Sequence, residues 1–444
     1  MHPIPTRARG IAALAHRINL TRWRNSHQFF FCASVSARNY HGSRDNTAAV
    51  VVGAGPAGIA VVGNLLEHLP ADAGKITWID PEFNAGRIRN YGQVPSNTKI
   101  GLFLEYARAL EPFREIYEKS PKQNAIRVLE AMPKDETCSL GYAGDMLRQL
   151  TQGLAAHERI NKVTAHVVTS ERQSDASNWE LQLQPPRKTE AETLGSVTSP
   201  MVVYCTGSFP TKMQLHPDLT KNGVEQVHLD TALNPPLLAK ELVRRQDQDI
   251  TRVGVIGASH SAVLVLMNLV KLAQTSRPDI RVDWFARSPH FKYAEQKDGW
   301  ILYDNTGLKG TAAVFARTEL DGNKLLTSEA GKIITRIDCS GGLEKEAATI
   351  RSRGLGCQYI IPAIGFTPRP IPGFASNNKP LFNHRTGAFE DHAGGLIKGL
   401  YGAGIAFPEQ VTDPAGHTEY AVGFWKFMRF LRRVVPEWVA KEAR

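Results

Sequence analysis

The sequence predicts an α/β protein with two mostly parallel sheets, the second inserted in the first. One observation is that a buried strand, a small-residue turn, an apolar helix and another strand follow one another twice, from residues 48 and 252. Strands that alternate with helices are typical of parallel sheets, because parallel neighbours need a long crossover connection. The other observation is the composition: 444 residues with 42% hydrophobic residues suit two or three ordinary globular domains.

The first turn reads Gly53-Ala54-Gly55-Pro56-Ala57-Gly58, between a strand at 48–52 and a helix at 59–69. Gly53 allows a tight turn, Gly55 lets backbone N–H groups approach a pyrophosphate, and Gly58 permits close packing of helix on strand. The next strand, 75–79, ends at Asp80, whose carboxylate can accept hydrogen bonds from a ribose hydroxyl. Because the helix N-terminus would face the phosphates, the unit predicts a dinucleotide site. Its candidate residues are Gly53, Gly55, Pro56, Ala57, Gly58 and Asp80.

The second turn reads Gly257-Ala258-Ser259-His260-Ser261-Ala262, between a strand at 252–256 and a helix at 263–272. Ser259 and Ala262 stand where the first turn has glycine, and both are small enough for backbone approach and packing. The following strand, 281–285, leads to Arg287 and Ser288, a cation and a hydroxyl that suit a 2′-phosphate. The sequence therefore predicts NADPH rather than NADH, with a solvated charge as the alternative for Arg287. The candidate residues are Gly257, Ser259, His260, Ser261, Arg287 and Ser288.

The order of the remaining strands predicts the domain organisation. A strand at 201–205 ends in the turn Thr206-Gly207, a strand at 359–364 follows the second unit, and a last strand at 400–404 ends at Gly404. We predict a first domain formed by residues 46–210 and 356–444, and a second domain formed by residues 211–355.

The N-terminal segment is basic and is predicted to be a targeting sequence. No acidic residue precedes Asp45, whereas seven arginines do. An arginine-rich segment that contains serines, scattered apolar residues and no acid is typical of a mitochondrial presequence. We expect residues 1–45 to direct the protein to the mitochondrial matrix; a disordered basic tail is the alternative.

Charge and cysteine usage exclude other classes. Residues 1–40 hold six of the 53 basic residues and no acidic one, so 47 basic residues face 43 acidic residues in the remainder and no nucleic-acid partner is predicted. The five cysteines form no C-x-x-C pair and show no zinc-ligand spacing, so neither a redox dithiol nor a metal site is predicted. No apolar run reaches the roughly 20 residues of a transmembrane helix.

Two nucleotide-binding units in this order, with Thr-Gly at the crossover, resemble the two-dinucleotide-binding-domain flavoproteins over residues 46–430. The resemblance implies two Rossmann-like domains, with FAD at the first turn and NAD(P)H at the second. The run Pro95-Ser96-Asn97-Thr98-Lys99 is similar to a segment of class B flavin-containing monooxygenases, in which the asparagine lies beside the flavin and helps to hold an oxygenated intermediate. The resemblance thus implies a catalytic role for Asn97 and cofactor contacts for Pro95, Lys99, Thr206, Gly207 and Gly404. An asparagine in a turn is the alternative.

Two departures qualify the resemblance. The monooxygenase pattern Phe-x-Gly, three residues, then His does not follow Thr206-Gly207; of the nearest counterpart, 223–228, only His228 corresponds. Disulfide oxidoreductases usually carry Gly-Asp at the late flavin-contacting turn, whereas here Gly404 precedes Ile405. Because a C-x-x-C pair is also missing, the chain is nearer to the monooxygenases than to the dithiol reductases.

The resemblance implies an enzyme that oxidises NADPH with FAD and transfers oxygen from O2 to a small organic substrate. One alternative is a mitochondrial NAD(P)H reductase that passes electrons to a quinone or a protein carrier. Another is a nucleotide-binding sensor on the same fold, since a fold does not establish an activity.

The C-terminal region is expected to complete the flavin site. A helix at 421–430 would point its N-terminus at the flavin, and His417 and Glu419 before it are expected to be helix-cap or surface residues. Aromatic and basic residues alternate over 425–435. We expect the last helix of the first domain there, with peripheral membrane contact as the alternative.

Overall fold

The computed structural model describes residues 47–173, 178–186, 194–245, 248–288, 290–374 and 379–443. All of these residues belong to one compact unit. The predicted presequence, 1–45, lies outside them. Among the described residues, no helix has both the length and the apolar character that crossing a bilayer requires.

The first sheet has seven strands, and the strand before the glycine turn lies near its centre. In spatial order the strands are Leu381–Phe382, Ala388–Glu390, Leu396–Gly402, Val202–Tyr204, Thr47–Val52, Lys75–Ile79 and Ile160–Val163. The five strands from Leu396–Gly402 onward are parallel, and the two at the other edge are antiparallel. The small and β-branched residues of Thr47–Val52 are buried at its last four positions, as a central parallel strand requires.

The second sheet has five parallel strands: Glu225–Gln226, Tyr359–Pro362, Thr251–Ile256, Ile280–Ala286 and Ile334–Asp338. Tyr359–Pro362 pairs with Thr251–Ile256, so the boundary predicted at 355/356 assigns this strand to the wrong sheet. The mistake has a physical cause: pairing between distant strands is set by long-range packing, which local sequence patterns do not encode. All described strands of the second sheet lie, in sequence, between Val202–Tyr204 and Leu381–Phe382.

The two units share the same hydrogen bonds around their turns. The backbone N–H of Gly53 donates to Ile79 O at 2.7 Å, and that of Gly257 donates to Phe285 O at 3.0 Å. The indole N–H of a buried tryptophan donates to each turn, from Trp78 to Gly53 O at 2.9 Å and from Trp284 to Gly257 O at 2.7 Å. The second unit is therefore a structural repeat of the first, despite its substituted glycines.

Helices cover both sheets. The α-helices are Pro56–His68, Ile100–Arg108, Glu111–Lys119, Ala125–Glu130, Leu140–Ala155, Pro217–Lys221, Leu229–Ala232, Pro235–Glu241, His260–Thr275, Gly310–Phe315, Lys324–Thr327, Leu343–Gly354 and Phe424–Glu442. Two 3₁₀ segments, Gly86–Tyr91 and Ala330–Lys332, and a π-helical turn, Ala316–Leu320, complete the helical elements. Pro56–His68 packs between the first sheet and Phe424–Glu442, which explains why it is buried along most of its length.

Smaller sheets connect these parts. The two-stranded sheets are Pro95–Lys99 with Thr137–Ser139, Ser208–Pro210 with Phe366–Pro368, Glu295–Lys297 with Trp300–Leu302, and Glu409–Thr412 with Thr418–Ala421. A three-stranded meander is formed by His166–Arg172, Trp179–Gln184 and Gly195–Ser199. Ser208–Pro210 and Phe366–Pro368 form the double connection between the two large sheets, and Thr211 N–H donates to Gly365 O at 2.9 Å beside it.

Candidate functional site

A cleft of about 810 Å³ opens at the carboxyl ends of the first sheet's strands. This edge is where parallel α/β sheets usually bind ligands. Eight residues that the sequence analysis assigned to the first nucleotide line the cleft together: Gly53, Gly55, Pro56, Ala57, Asp80, Thr206, Gly207 and Gly404.

Three glycines of the first turn have different structural roles. Gly53 has φ +111°, and a Cβ built there would lie 2.3 Å from the carbonyl oxygen of Cys205. A Cβ at Gly58 would lie 1.9 Å from Gly53 O, so Gly58 allows helix and turn to pack and does not line the cleft. A Cβ at Gly55 would lie 4.0 Å from the nearest atom, Gly86 Cα. The missing side chain of Gly55 therefore leaves room for a ligand against the backbone.

The first turn of the helix Pro56–His68 offers its N–H groups to the cleft. Its N-cap is Gly55, which supplies no side-chain hydrogen bond, and no acidic residue lies in its first turn. The helix Leu140–Ala155, by contrast, is capped by Ser139, whose hydroxyl accepts from Gly141 N–H. An uncapped helix N-terminus carries a partial positive charge, so it suits an anionic group such as a diphosphate.

Asp80 lines the cleft, but its carboxylate also organises the turn. It accepts hydrogen bonds from the backbone N–H groups of Ala54 at 2.7 Å, Glu82 at 2.8 Å and Phe83 at 2.7 Å. Sequence reasoning gave Asp80 only a ribose contact and did not identify Glu82. Glu82 also lines the cleft and forms an ion pair with Arg89. Its position two residues after Asp80 is the signal that could have indicated it.

The segment Gly86–Tyr91, which begins beside Gly55, contributes to a polar cluster that sequence reasoning missed. Tyr91 O–H donates to Asp230 at 2.8 Å, and Arg87 forms an ion pair with the same carboxylate. Burial, together with the contact with Asp230, raises the pKa of Tyr91 to about 12. Arg87, Asn90 and Tyr91 line the cleft, whereas Asp230 lies on the helix Leu229–Ala232. The cluster therefore ties the segment Gly86–Tyr91 to the part of the chain that follows the crossover.

The last helix starts at the cleft, although later in sequence than predicted. It spans Phe424–Glu442, and Val422, Gly423, Phe424 and Phe427 line the cleft. The predicted start at residue 421 is wrong because Thr418–Ala421 forms a strand with Glu409–Thr412. The predicted last strand at 400–404 is correspondingly not the last. Glu419 is buried in this hairpin and is not a surface residue.

The second turn repeats the geometry of the first. Gly257 has φ +124°, and a Cβ there would lie 2.3 Å from the carbonyl oxygen of Ala363. The helix His260–Thr275 has Ser259 as its N-cap, without a side-chain hydrogen bond and without an acid in its first turn. Nδ1 of His260 is buried without a partner among the described residues. Burial, and then the positive charge of Lys309, lower the pKa of His260 to about 4, so its imidazole is neutral at pH 7.

Arg287 and Ser288 lie at the end of the strand Ile280–Ala286, as predicted. Arg287 Nε donates to Glu346 at 2.7 Å, yet 65% of the Arg287 side chain remains exposed and can contact another group. Ser288 Oγ donates to the carbonyl of His290 at 2.8 Å. The guanidinium of Arg336 lies 5.4 Å from the ring centre of Trp284 and donates to Ser288 O. Arg336 is a second cation at this strand end, which sequence reasoning missed because it comes from a different strand.

Pro95, Asn97 and Lys99 do not line the first cleft. They lie on the strand Pro95–Lys99, where Ser96 is buried and the alternation of side chains leaves Asn97 exposed. Asn97 Oδ1 accepts from Thr98 Oγ1 at 3.3 Å, and Lys99 Nζ lies 3.3 Å from Asp135. A Cβ at Gly310 would lie 3.9 Å from Asn97 Cα, so Asn97 faces the part of the chain that follows the second turn.

A known monooxygenase is similar to almost the whole chain. The monooxygenase AgnR1 of Paecilomyces divaricatus is 46% identical over 397 residues, which cover 88% of this chain and 98% of that protein. The chain belongs to the same family as this monooxygenase. The finding confirms the prediction of a monooxygenase of the flavoprotein class. No family model matches the sequence.

Solved structures show the same fold at low sequence identity. The ornithine N-hydroxylase KtzI of Kutzneria sp. 744 matches with a TM-score of 0.56 at 13% identity, over 90% of this chain and 100% of that one. The cadaverine monooxygenase DfoA of Erwinia amylovora matches with a TM-score of 0.54 at 9% identity, over 89% and 94%. The bacillithiol disulfide reductase Bdr of Staphylococcus aureus gives 0.51 at 11% identity, over 89% and 98%. The predicted α/β class, with mostly parallel sheets and two dinucleotide-binding domains, is thereby confirmed.

Proposed function

We propose that this monooxygenase binds FAD in the 810 Å³ cleft and NADPH at the second turn, and that it transfers one oxygen atom from O2 to a small organic substrate. The observation that carries the proposal is the repeated cradle. Each unit presents a positive-φ glycine, a small residue and an uncapped helix N-terminus in the same arrangement. Two such sites in one chain suit two dinucleotides.

The residues of the first site fit FAD. Gly55 leaves room against the backbone, and the N–H groups at the start of Pro56–His68 can donate to a diphosphate. Asp80 and Glu82 lie at the end of the second strand, where carboxylates can accept from a ribose. Bound FAD supplies hydride acceptance from NADPH and, once reduced, reaction with O2.

Other residues of the cleft can shape its electrostatics and exclude water. The N-terminus of Phe424–Glu442 has no side-chain cap and no acid in its first turn, so it favours negative charge nearby. The aromatic rings of Phe209, Phe366 and Phe424 form part of the lining. They reduce the contact of the reacting groups with solvent, which strengthens the electrostatic interactions inside.

The second site favours NADPH over NADH. Arg287, Ser288 and Arg336 converge at the end of Ile280–Ala286, the position that contacts the 2′ group in dinucleotide folds. His260 is neutral, so the positive helix N-terminus and Lys309 supply the positive charge near the diphosphate position.

We propose that Asn97 acts beside the reacting groups, with Pro95 and Lys99 as its neighbours. The similarity of the run 95–99 to class B monooxygenases supports this role, as does the position of Asn97 next to Gly310, which follows the lysine whose charge acts on His260 at the second turn. Import into the mitochondrial matrix also remains our proposal, supported by the acid-free segment that precedes Asp45.

The stoichiometry of turnover tests the activity. The purified protein would be incubated with NADPH and ¹⁸O2, and separately with thioanisole, dimethylaniline and cyclohexanone, which present a nucleophilic S, a nucleophilic N and a carbonyl. We expect one product to gain a single ¹⁸O atom as one NADPH and one O2 are consumed. Rapid reduction of a soluble quinone, with no oxygenated product from any of the three substrates, would contradict the proposal and favour a reductase.

A further inference from the structure

A polar cluster joins the second unit to the C-terminal hairpin and helix, outside the 810 Å³ cleft. Its members are Asp304, Asn305 and Thr306 on one side and Glu419 and Lys426 on the other. We call this cluster the clasp. Its two sides are more than 110 residues apart in the sequence.

Glu419 forms the buried half of the clasp. Its carboxylate accepts from Asn305 N–H at 2.9 Å, Asn305 Nδ2 at 3.2 Å and Thr306 N–H at 3.1 Å, and also from the hydroxyl of Thr306. Only 8% of the residue is exposed. Burial opposes ionisation, but hydrogen bonds from Thr306 and Asn305 outweigh it and lower the pKa of Glu419. The residue is therefore a saturated carboxylate with all of its described partners on the facing segment.

Lys426 forms the other half. Its ammonium group pairs with Asp304 Oδ2 at 2.7 Å and donates to Asn305 Oδ1 at 2.6 Å and to Asp304 O at 3.0 Å. Asp304 also pairs with Lys309, whose Nζ donates to Asp304 O at 2.6 Å. Two lysines and two carboxylates thus balance in charge at a partly buried contact.

The clasp fixes a segment that borders the proposed reaction site. Lys309 is the cation that acts on His260 at the second turn, and Gly310 follows it. The helix Gly310–Phe315 packs on the strand Pro95–Lys99, and a Cβ at Gly310 would lie only 3.2 Å from Ser96 O. A displacement of residues 304–310 would therefore move the start of the helix Gly310–Phe315, which packs beside Asn97.

We propose that Glu419 and Lys426 are positioning residues that hold residues 304–310 in place, so that the second nucleotide lies correctly for hydride transfer. This inference rests on the proposed binding of FAD and NADPH. Neither residue lines the cleft, so they act through the segment they hold and not by contact with the reacting atoms.

The first test measures the segment itself. Hydrogen exchange of the Asn305 and Thr306 amides would be compared between wild type, Glu419→Gln and a control, Arg433→Gln. Arg433 lies on the same helix as Lys426 and pairs with Glu409 of the same hairpin at 2.7 Å, but it does not contact the segment. We expect about tenfold faster exchange in Glu419→Gln, because the NH2 group of the glutamine would face N–H groups that need an acceptor. We expect no change in the control. Equal exchange in all three proteins would overturn the proposal.

The second test measures hydride transfer. Anaerobic stopped-flow would give the limiting rate of flavin reduction by NADPH, with FAD content and dithionite reduction measured in parallel. We expect Glu419→Gln and Lys426→Met to lose about tenfold in this rate at unchanged FAD content, and Lys426→Arg to recover most of it. Unchanged rates in both variants would overturn the positioning role.

A milder variant keeps the test decisive if Glu419→Gln does not fold. Thr306→Val removes one hydroxyl donor to the same carboxylate, and we expect a smaller decrease in the same direction. An unchanged rate in Thr306→Val would then count against the clasp. If Glu419→Gln does fold, we expect no further loss in the double variant Glu419→Gln/Thr306→Val, and strictly additive losses would contradict the clasp. A wild-type protein that takes up no FAD would overturn the proposed function, and this result is distinct from a yellow wild type whose variants reduce normally.

Discussion

Gly53 and Gly55 of the first turn have different roles, although only one residue lies between them: Gly53 is required for the fold, and Gly55 for cofactor binding. Gly53 has φ +111°, and a Cβ there would lie 2.3 Å from Cys205 O. Gly55 has φ −82° and lines the cleft, and a Cβ added there would lie 4.0 Å from the nearest atom, Gly86 Cα. The same substitution, glycine to alanine, should therefore affect different properties at the two positions.

The structure sets the size of each effect. Gly53→Ala forces an unfavourable φ, at about 1–3 kcal/mol, and a backbone overlap, at about 1–3 kcal/mol, so the free energy of unfolding should fall by about 2–6 kcal/mol. Gly55→Ala needs neither, and its free energy of unfolding should stay within about 1 kcal/mol of the wild type. Its Cβ occupies space at the diphosphate position, however, and should raise the Kd for FAD at least about tenfold, or about 1.4 kcal/mol.

The assay uses apoprotein of each variant. Urea unfolding gives the stability, and quenching of FAD fluorescence on titration gives the Kd. Gly342→Ala is the control for φ strain alone, because Gly342 has φ +98°, no atom within 4 Å of the added Cβ, and no part in the cleft. If Gly55→Ala bound FAD as tightly as the wild type, or if Gly53→Ala were as stable, our reading of this turn would be wrong.

Three other predictions follow from the second site and the cysteines. Arg287→Ala should raise the KM for NADPH about tenfold and leave that for NADH unchanged, because only the 2′-phosphate contact is lost; equal changes for both coenzymes would contradict this role. The pKa of His260 is lowered to about 4 from its ordinary 6.5. The imidazole of the unfolded chain becomes protonated near pH 6.5, whereas that of the folded chain stays neutral until about pH 4. The free energy of unfolding should therefore be unaffected by His260 above about pH 6.5 and fall by about 3 kcal/mol as the pH decreases from 6.5 to 4. His260→Gln should remove this part of the pH dependence in urea midpoints, and an unchanged profile would refute the assignment. Burial raises the pKa of Cys138, Cys205 and Cys339, and that of Cys357 to about 12, so alkylation with iodoacetamide at pH 7.5 should leave NADPH oxidation unchanged; inactivation would contradict this expectation.

The residues assigned to the first nucleotide lie together because the constraints on them are local. A Cβ added at Gly53 or Gly58 would lie 2.3 or 1.9 Å from a backbone carbonyl oxygen, so another residue at either position would force a displacement. The spacing of the two glycines is therefore visible in the sequence. The same locality explains why eight of the residues assigned to the first nucleotide line one cleft.

The errors arise where long-range contacts decide. Tyr359–Pro362 joins the second sheet through pairing with a strand about 100 residues earlier, and local patterns cannot choose between two sheets. Glu419 looks like a surface residue, but its partners Asn305 and Thr306 bury it. The sequence does contain a sign that the second unit repeats the first: Trp78 and Trp284 lie 25 and 27 residues after the first glycine of their turns, at nearly the same spacing.

An anaerobic NADPH titration of the purified protein, followed by absorbance, shows whether the chain binds FAD and reduces it with NADPH. We predict a yellow protein with about one FAD per chain, whose flavin absorbance is bleached by a single equivalent of NADPH and returns when air is admitted. A colourless protein that takes up no added FAD, or one whose flavin NADPH does not reduce, would contradict the assignment of the two sites.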